Sequence, residues 1–111
     1  MMMRSSLTAV LEKHLLLDAP FTTEPYELPW ADEARFFVHT LDQSGPGAIH
    51  CSTEISPDGL HWCDSGTPHQ QTDGPGLISW PVAEFGQWLR VHCRPGDGVR
   101  ATVRIYLVGK S

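Results

Sequence analysis

The sequence is poor in the features that would commit it to a membrane, to nucleic acid or to a metal. It has no long apolar run: the stretch MMMRSSLTAVLEKHLLLDAP sets Arg4 before apolar residues, but Glu12, Lys13 and His14 interrupt them. Neither a signal peptide nor a membrane span is therefore expected. Basic residues are in deficit, 8 against 13 acidic, and the formal net charge of -5 opposes a phosphate backbone or an anionic membrane surface. No nucleic acid partner is expected. Cysteine is scarce and odd in number, so Cys51, Cys63 and Cys93 cannot all pair within one chain. Free thiols in a cytoplasmic or particle-associated protein are the simplest reading, with one disulfide plus one free thiol left open. There is also no C-x-x-C, H-x-x-x-H, G-x-S-x-G or H-E-x-x-H spacing, and no glycine-rich phosphate loop. The expectation is a protein with no catalytic residues, no metal and no cofactor.

What the 111 residues do contain is regular punctuation. Clusters of Gly, Pro, Asp and Ser (LDAP, SGPG, SPDG, DSGTP, TDGPG, RPGDG) separate short segments rich in β-branched and aromatic residues. That rhythm is the mark of a β-sandwich or barrel. Strands are expected near residues 8–16, 25–28, 35–41, 48–56, 60–63, 77–82, 88–94 and 99–108. In the first segment Leu7, Val10, Leu11 and Leu15 also fit a helical face, but the company of later strands favours a strand. The chain is read as one domain, residues 1–111, with residues 1–7 open to reading as a flexible or partner-binding arm.

The C-terminal part has the clearest period. In VRATVRIYLV the residues Val99, Ala101, Val103, Ile105 and Leu107 alternate with Arg100, Thr102, Arg104 and Tyr106. In WLRVHCR the apolar set is Leu89, Val91 and Cys93. The two segments are expected to form a hairpin with a five-residue loop, Arg94 to Gly98, in which Cys93 faces Val99 and Val91 faces Ala101. Trp88, Arg90, His92, Arg94, Arg100 and Arg104 then share an outer basic stripe suited to an acidic partner or another copy of the chain, or merely to solvent.

Three His/Cys groupings, His50 with Cys51, His61 with Cys63, and His92 with Cys93, suggest zinc by ligand type. Adjacent strand residues point to opposite faces, so His50 and Cys51 cannot serve one ion, nor can His92 and Cys93. Cys51 and Cys93 are in phase with apolar neighbours and are read as core. Trp62 and Trp80 are read as core for the same reason, and Trp88 is expected to be the most exposed of the tryptophans. The polar stretch 64–76 is long for a connector, and its His69, Gln70, Gln71 and Asp73 are candidates for a binding loop.

The order of pieces, AIHCSTEIS into SPDGLHW, a polar loop, FGQWLRVHCRP and a closing VRIYLVGK, resembles the C-terminal two thirds of discoidin-like, galactose-binding-type jelly rolls. There a strand leads into a Ser-x-Asp-Gly-x-x-Trp turn, here Ser56, Asp58, Gly59 and Trp62. The same turn occurs in other β-sandwich modules of exported and phage-associated proteins. It also looks like the sialidase Asp-box, but is one residue too short between Gly59 and Trp62 and is not repeated. The resemblance covers about half of the chain, which is shorter than the usual domain and lacks its paired terminal cysteines. It implies a fold, with binding of glycans, lipids or protein surfaces through loops at one end.

The expected architecture is an all-β, antiparallel β-sandwich of about eight strands with jelly-roll-like connections. Its expected core is Phe36, Val38, Ile49, Cys51, Ile55, Leu60, Trp62, Ile78, Trp80, Leu89, Val91, Val99, Ala101, Val103, Ile105 and Leu107. The expected function is a non-enzymatic structural module, self-associating or decorating a larger particle; the alternative is a carbohydrate- or small-ligand-binding module.

Overall fold

The computed structural model describes residues 4–111. Among the described residues there are ten strands: β1 (Ser6–Leu17), β2 (Phe21–Thr22), β3 (Tyr26–Glu27), β4 (Glu33–Ser44), β5 (Ile49–Ser56), β6 (Cys63–Asp64), β7 (Gln70–Gln71), β8 (Gly76–Val82), β9 (Trp88–Pro95) and β10 (Arg100–Lys110). One sheet runs β1-β10-β4-β8; the other has β9 and β5 at its centre, with β2 and β3 along the β9 edge and β6 and β7 along the β5 edge. All pairings are antiparallel. Each pair of two-residue fragments is one interrupted edge strand. The count is therefore ten among the described residues, against about eight expected, because each edge of this sheet is broken in two; the two-sheet order is that of a jelly roll.

The alternation in the sequence builds the core. Ala101, Val103, Ile105 and Leu107 of β10 and Phe36 and Val38 of β4 face Leu89, Val91 and Cys93 of β9 and Ile49 and Cys51 of β5. Trp80 of β8 closes the middle: its ring lies 5.8 Å from that of Phe36, and its buried Nε1 donates to Thr53 Oγ1 of β5 at 2.6 Å. That bond ties one sheet to the other. Leu17, Leu28, Ala34, Val82, Phe85 and Val99 complete the core, and Ile55 and Ile78 pack half-buried against it.

The expected hairpin between residues 88–94 and 99–108 is corrected. Cys93 pairs with Cys51 and Phe21, and Ala101 pairs with Leu17 and Gln43, because β9 and β10 belong to different sheets. Alternation states which side of a strand meets the core, and two strands on opposite sheets satisfy it as well as two neighbours do. The chain crosses over within residues 96–99, where Gly96 N donates to Ala48 O and Val99 N to Gly96 O. A close approach fixes this end: Gly45 has φ +90, and a Cβ there would lie 2.3 Å from Gly98 O, so only glycine fits.

The first segment is a strand, and its helix-like spacing comes from two register breaks against β10, after Val10 and after Glu12. Bulges shift the apolar phase, so Leu11 and Leu15 both reach the core although Val10 and Leu16 do not. Arg104 Nε donates to Lys13 O at 3.0 Å, satisfying a carbonyl in the second break. Of the stretch 1–7, residues 1–3 lie outside the described residues; Ser5 and Ser111 exchange hydrogen bonds, and Ser6 and Leu7 pair with Lys110 and Gly109.

The two interrupted edges end on the same device. Thr23 N donates to Val91 O at 2.9 Å, and Val91 N returns a bond to Thr23 Oγ1 at 3.0 Å. Thr72 N donates to Ile49 O at 3.0 Å, and Ile49 N returns a bond to Thr72 Oγ1 at 3.0 Å. Where the edge strand leaves the ladder, a buried threonine hydroxyl takes the place of the next carbonyl.

Candidate functional site

The turn SPDGLHW builds itself around Asp58. Ser56 Oγ accepts from Gly59 N at 2.8 Å and donates to Asp58 Oδ1 at 3.0 Å, while Asp58 Oδ1 accepts from Leu60 N at 2.8 Å and His61 N at 2.9 Å. His61 Nδ1 stands 2.7 Å from Asp58 Oδ2. The amide of His61, its ring and the amide of Leu60 hold the Asp58 carboxyl well below the usual carboxylate range. Collecting these amides curls the chain, so strand alternation does not resume until Cys63. That corrects two expected core residues: Leu60 is 79% exposed, and Trp62 lies half-buried on the outer side of β5 and β9. The Arg90 guanidinium sits 4.1 Å over the Trp62 ring and pairs with Glu54 at 2.6 Å. Trp88, expected to be the most exposed tryptophan, is half-buried against Gly59: a Cβ on that glycine, at φ +79, would meet the indole at 3.1 Å. Trp30 is the more open one, at 40%.

The expected basic stripe is divided. Arg90, His92 and Arg94 lie on β9 and Arg104 on β10, in different sheets. Arg90 is held by Glu54 and Trp62, His92 Nδ1 lies 2.9 Å from Thr22 Oγ1, and Arg104 is bound to the bulge of β1. Only Arg94 and Arg100 come together, in an open cleft of about 750 Å³ beside Asp18 and Asp97.

The candidate binding loop is likewise partly committed to the fold. His69 Nε2 lies 2.7 Å from Asp64 Oδ2, and this contact with the Gly66 amide lowers the Asp64 carboxyl. Gln70 Nε2 donates to Pro68 O. Gln71 and Asp73 line a second open cleft, about 530 Å³, with Gln43, Gly45, Pro46 and Gly47. Gln43 Nε2 shapes its floor by donating to Gly45 O and Gly47 O. Among the described residues no group of three or more His, Cys, Asp or Glu side chains is arranged to hold a metal ion.

The larger unexpected feature is the outer face of the β1-β10-β4-β8 sheet. Val10, Tyr106, Phe37 and Ser79 are cross-strand neighbours in one row, and Thr8, Val108, Arg35 and Pro81 form the next. Leu77 flanks them opposite His39. Val10 is 54% and Leu77 60% exposed, and Phe37, Tyr106 and Val108 are half-buried. A shallow groove of about 290 Å³ runs between Phe37, Pro81, Val82 and Val108, with Glu33, Arg35 and Lys110 at its rim. One signal for this face stood in the sequence: in RFFVHT two aromatics are adjacent, so alternation places one of them outside in either phase.

The architecture defines an antiparallel jelly-roll β-sandwich, the fold that the galactose-binding-type resemblance implied. No family model matches the chain, and no curated protein matches it in sequence. Solved structures of similar fold include the PBSX exported protein XepA, with a TM-score of 0.70 and 12% identity over 93% of this chain. The chain spans about a third, 36%, of that protein's length. The SPBc2 prophage-derived protein YomS follows, with a TM-score of 0.61 and 9% identity over 100% of this chain and 97% of that one. A CBM36-1 domain of a multidomain xylanase from the hindgut metagenome of Trinervitermes trinervoides has a TM-score of 0.56 and 6% identity, over 95% of this chain and 97% of that one. At these identities the likeness is one of fold alone.

Proposed function

We propose that the chain is a non-enzymatic assembly module that associates with another copy of itself through the outer face of the β1-β10-β4-β8 sheet. The observation that carries this reading is the contiguous row of Val10, Tyr106 and Phe37, extended by Val108 and Leu77, on a face with no element packed over it among the described residues. Apolar side chains at the centre of a patch with Glu33, Arg35, His39, Arg104 and Lys110 around them match the make-up of an interface with a dry centre and a polar rim. Across a two-fold axis Glu33 of one copy can meet a basic rim residue of the other, which suits a second copy of the same surface. Size-exclusion chromatography with light scattering tests it. The protein is expected to run as a dimer or larger species, and Val10→Glu or Leu77→Glu is expected to release a folded monomer. A strict monomer at high concentration overturns the reading.

A second reading has one observation of its own. Phe37 and Tyr106 are directly opposite each other on the outer sheet face, an arrangement that can stack a sugar ring. A glycan array read against Tyr106→Ala separates the two readings: sugar binding lost with the ring favours a binding module, and no sugar response leaves self-association.

A further inference from the structure

Cys51 and Cys93 stand directly opposite each other on the two central strands of their sheet, both inward-facing and fully buried. Their ladder position decides what they can do. The amide and carbonyl of Ile49 are spent on Thr72, on the side of β5 away from β9, and those of Val91 on Thr23, on the side of β9 away from β5. Residues two apart along a strand share backbone direction, so Cys51 and Cys93 also turn their backbone groups away from each other. Gly96 N bonding to Ala48 O gives the same phase from the other side of the ladder. The cysteines therefore form a non-hydrogen-bonded pair, where opposed Cα atoms approach to roughly 4.5 Å. That separation lies within the range a disulfide spans without moving the backbone.

We propose that Cys51 and Cys93 form a cross-strand disulfide when the chain meets a disulfide oxidant, giving the module a dithiol form and a stapled form. The staple would join the two central strands of a sheet whose edges are only two-residue fragments. With glutathione disulfide as oxidant, the thiolate of one cysteine attacks a glutathione sulfur and expels one glutathione thiolate. The second cysteine's thiolate then attacks the mixed disulfide and expels the other. The pair loses two protons and two electrons, and one glutathione disulfide becomes two glutathione thiols. The neighbouring Cys51 thiol and then burial push the Cys93 thiol up, which keeps it protonated and makes exchange wait for local opening.

The test uses Cys63→Ser, which removes the one exposed thiol, refolded in a glutathione redox buffer so that access to the folded core does not limit the outcome. The expected product is a chain lighter by two hydrogens, with no thiol alkylated in denaturant and no glutathione adduct. Peptide mapping should link the segments of Cys51 and Cys93. Closing about 40 residues of chain should raise the melting temperature, on the order of 10 °C, and a reductant should reverse the shift. Two alkylatable thiols after refolding, a persistent mixed disulfide with glutathione, or a stapled form that melts below the dithiol would each overturn the proposal.

Discussion

The two sheets present opposite outer faces although their strands obey the same alternation. On the sheet of β5 and β9 the outward polar groups are mostly engaged and the two outer indoles are half-buried: Arg90 holds Glu54 and lies over Trp62, His92 meets Thr22, Ser56 is covered by the Asp58 turn, and Trp88 packs against Gly59. On the sheet of β4 and β10 the outward centre is Phe37, Tyr106, Val108 and Val10. The difference follows from how each sheet is closed. Strands of 12, 12 and 11 residues carry β1, β4 and β10 through nearly continuous ladders, so their backbone groups are met by one another. The other sheet has two-residue edges, and side chains complete what backbone cannot: Thr23 and Thr72 cap the interrupted edges, and Arg90 and Trp62 hold the turn against the sheet. One face is used up in making the fold, and the other is left over from it.

The contrast breaks most completely at the bond that joins the sheets. Trp80→Ala removes the largest buried side chain and leaves Thr53 without its partner, a loss of about 3–5 kcal/mol by the usual cost of emptying such a site. Both sheets should then lose order together in one cooperative transition, read by chemical denaturation. Thr72→Val comes next. It keeps the shape but orphans the Ile49 amide, a penalty of about 1–3 kcal/mol. Hydrogen exchange should show the release of residues 70–76 before the rest of the sheet. Thr8→Val on the outer side of β1 is the matched control, and its effect should stay within about 0.5 kcal/mol.

How far the sequence could be read follows the same division. Ala101, Val103, Ile105 and Leu107 were legible as one face because alternation depends only on neighbours along the chain. The sheet each strand joined was not, since nothing in WLRVHCR or VRATVRIYLV says that a four-residue link passes from one sheet to the other rather than closing a hairpin. Leu60 and Trp62 were misplaced because Asp58 gathers two amides after the turn, a side-chain effect that periodicity does not contain. The same holds for Thr23 and Thr72, whose roles depend on Val91 and Ile49 far along the chain. As for the candidate site, residue types showed where charge was available, but the partners that occupy Arg90, His92 and Arg104 are visible only in three dimensions.

Acid sharpens the comparison from the polar side. The Asp58 carboxyl is depressed in the folded chain by the His61 and Leu60 bonds, whereas unfolded it titrates near an ordinary carboxylate value of about 3.9. A depressed folded value stabilises at pH above the unfolded one, and that contribution fades as pH falls from there through the folded value. Melting temperature measured from pH 6 down to pH 2 should therefore fall less steeply in Asp58→Asn than in the parent. Equal slopes would mean that the turn does not report on the fold. The effect should be modest, because the carboxylate is on the surface and solvent screens it.

The smallest effect on stability is expected where the effect on association is largest. Leu77 is 60% exposed and opposite His39, so Leu77→Ser removes little buried area and should change unfolding free energy by no more than about 0.5 kcal/mol. If the outer face of this sheet is the contact between copies, the same substitution weakens self-association several-fold, because in a dimer that side chain is desolvated and in a monomer it is not. A change of like size on the opposite face, Ser52→Ala, should leave association untouched. Equal behaviour of the two variants in concentration-dependent light scattering would show that the two faces do not differ in use, whatever their composition.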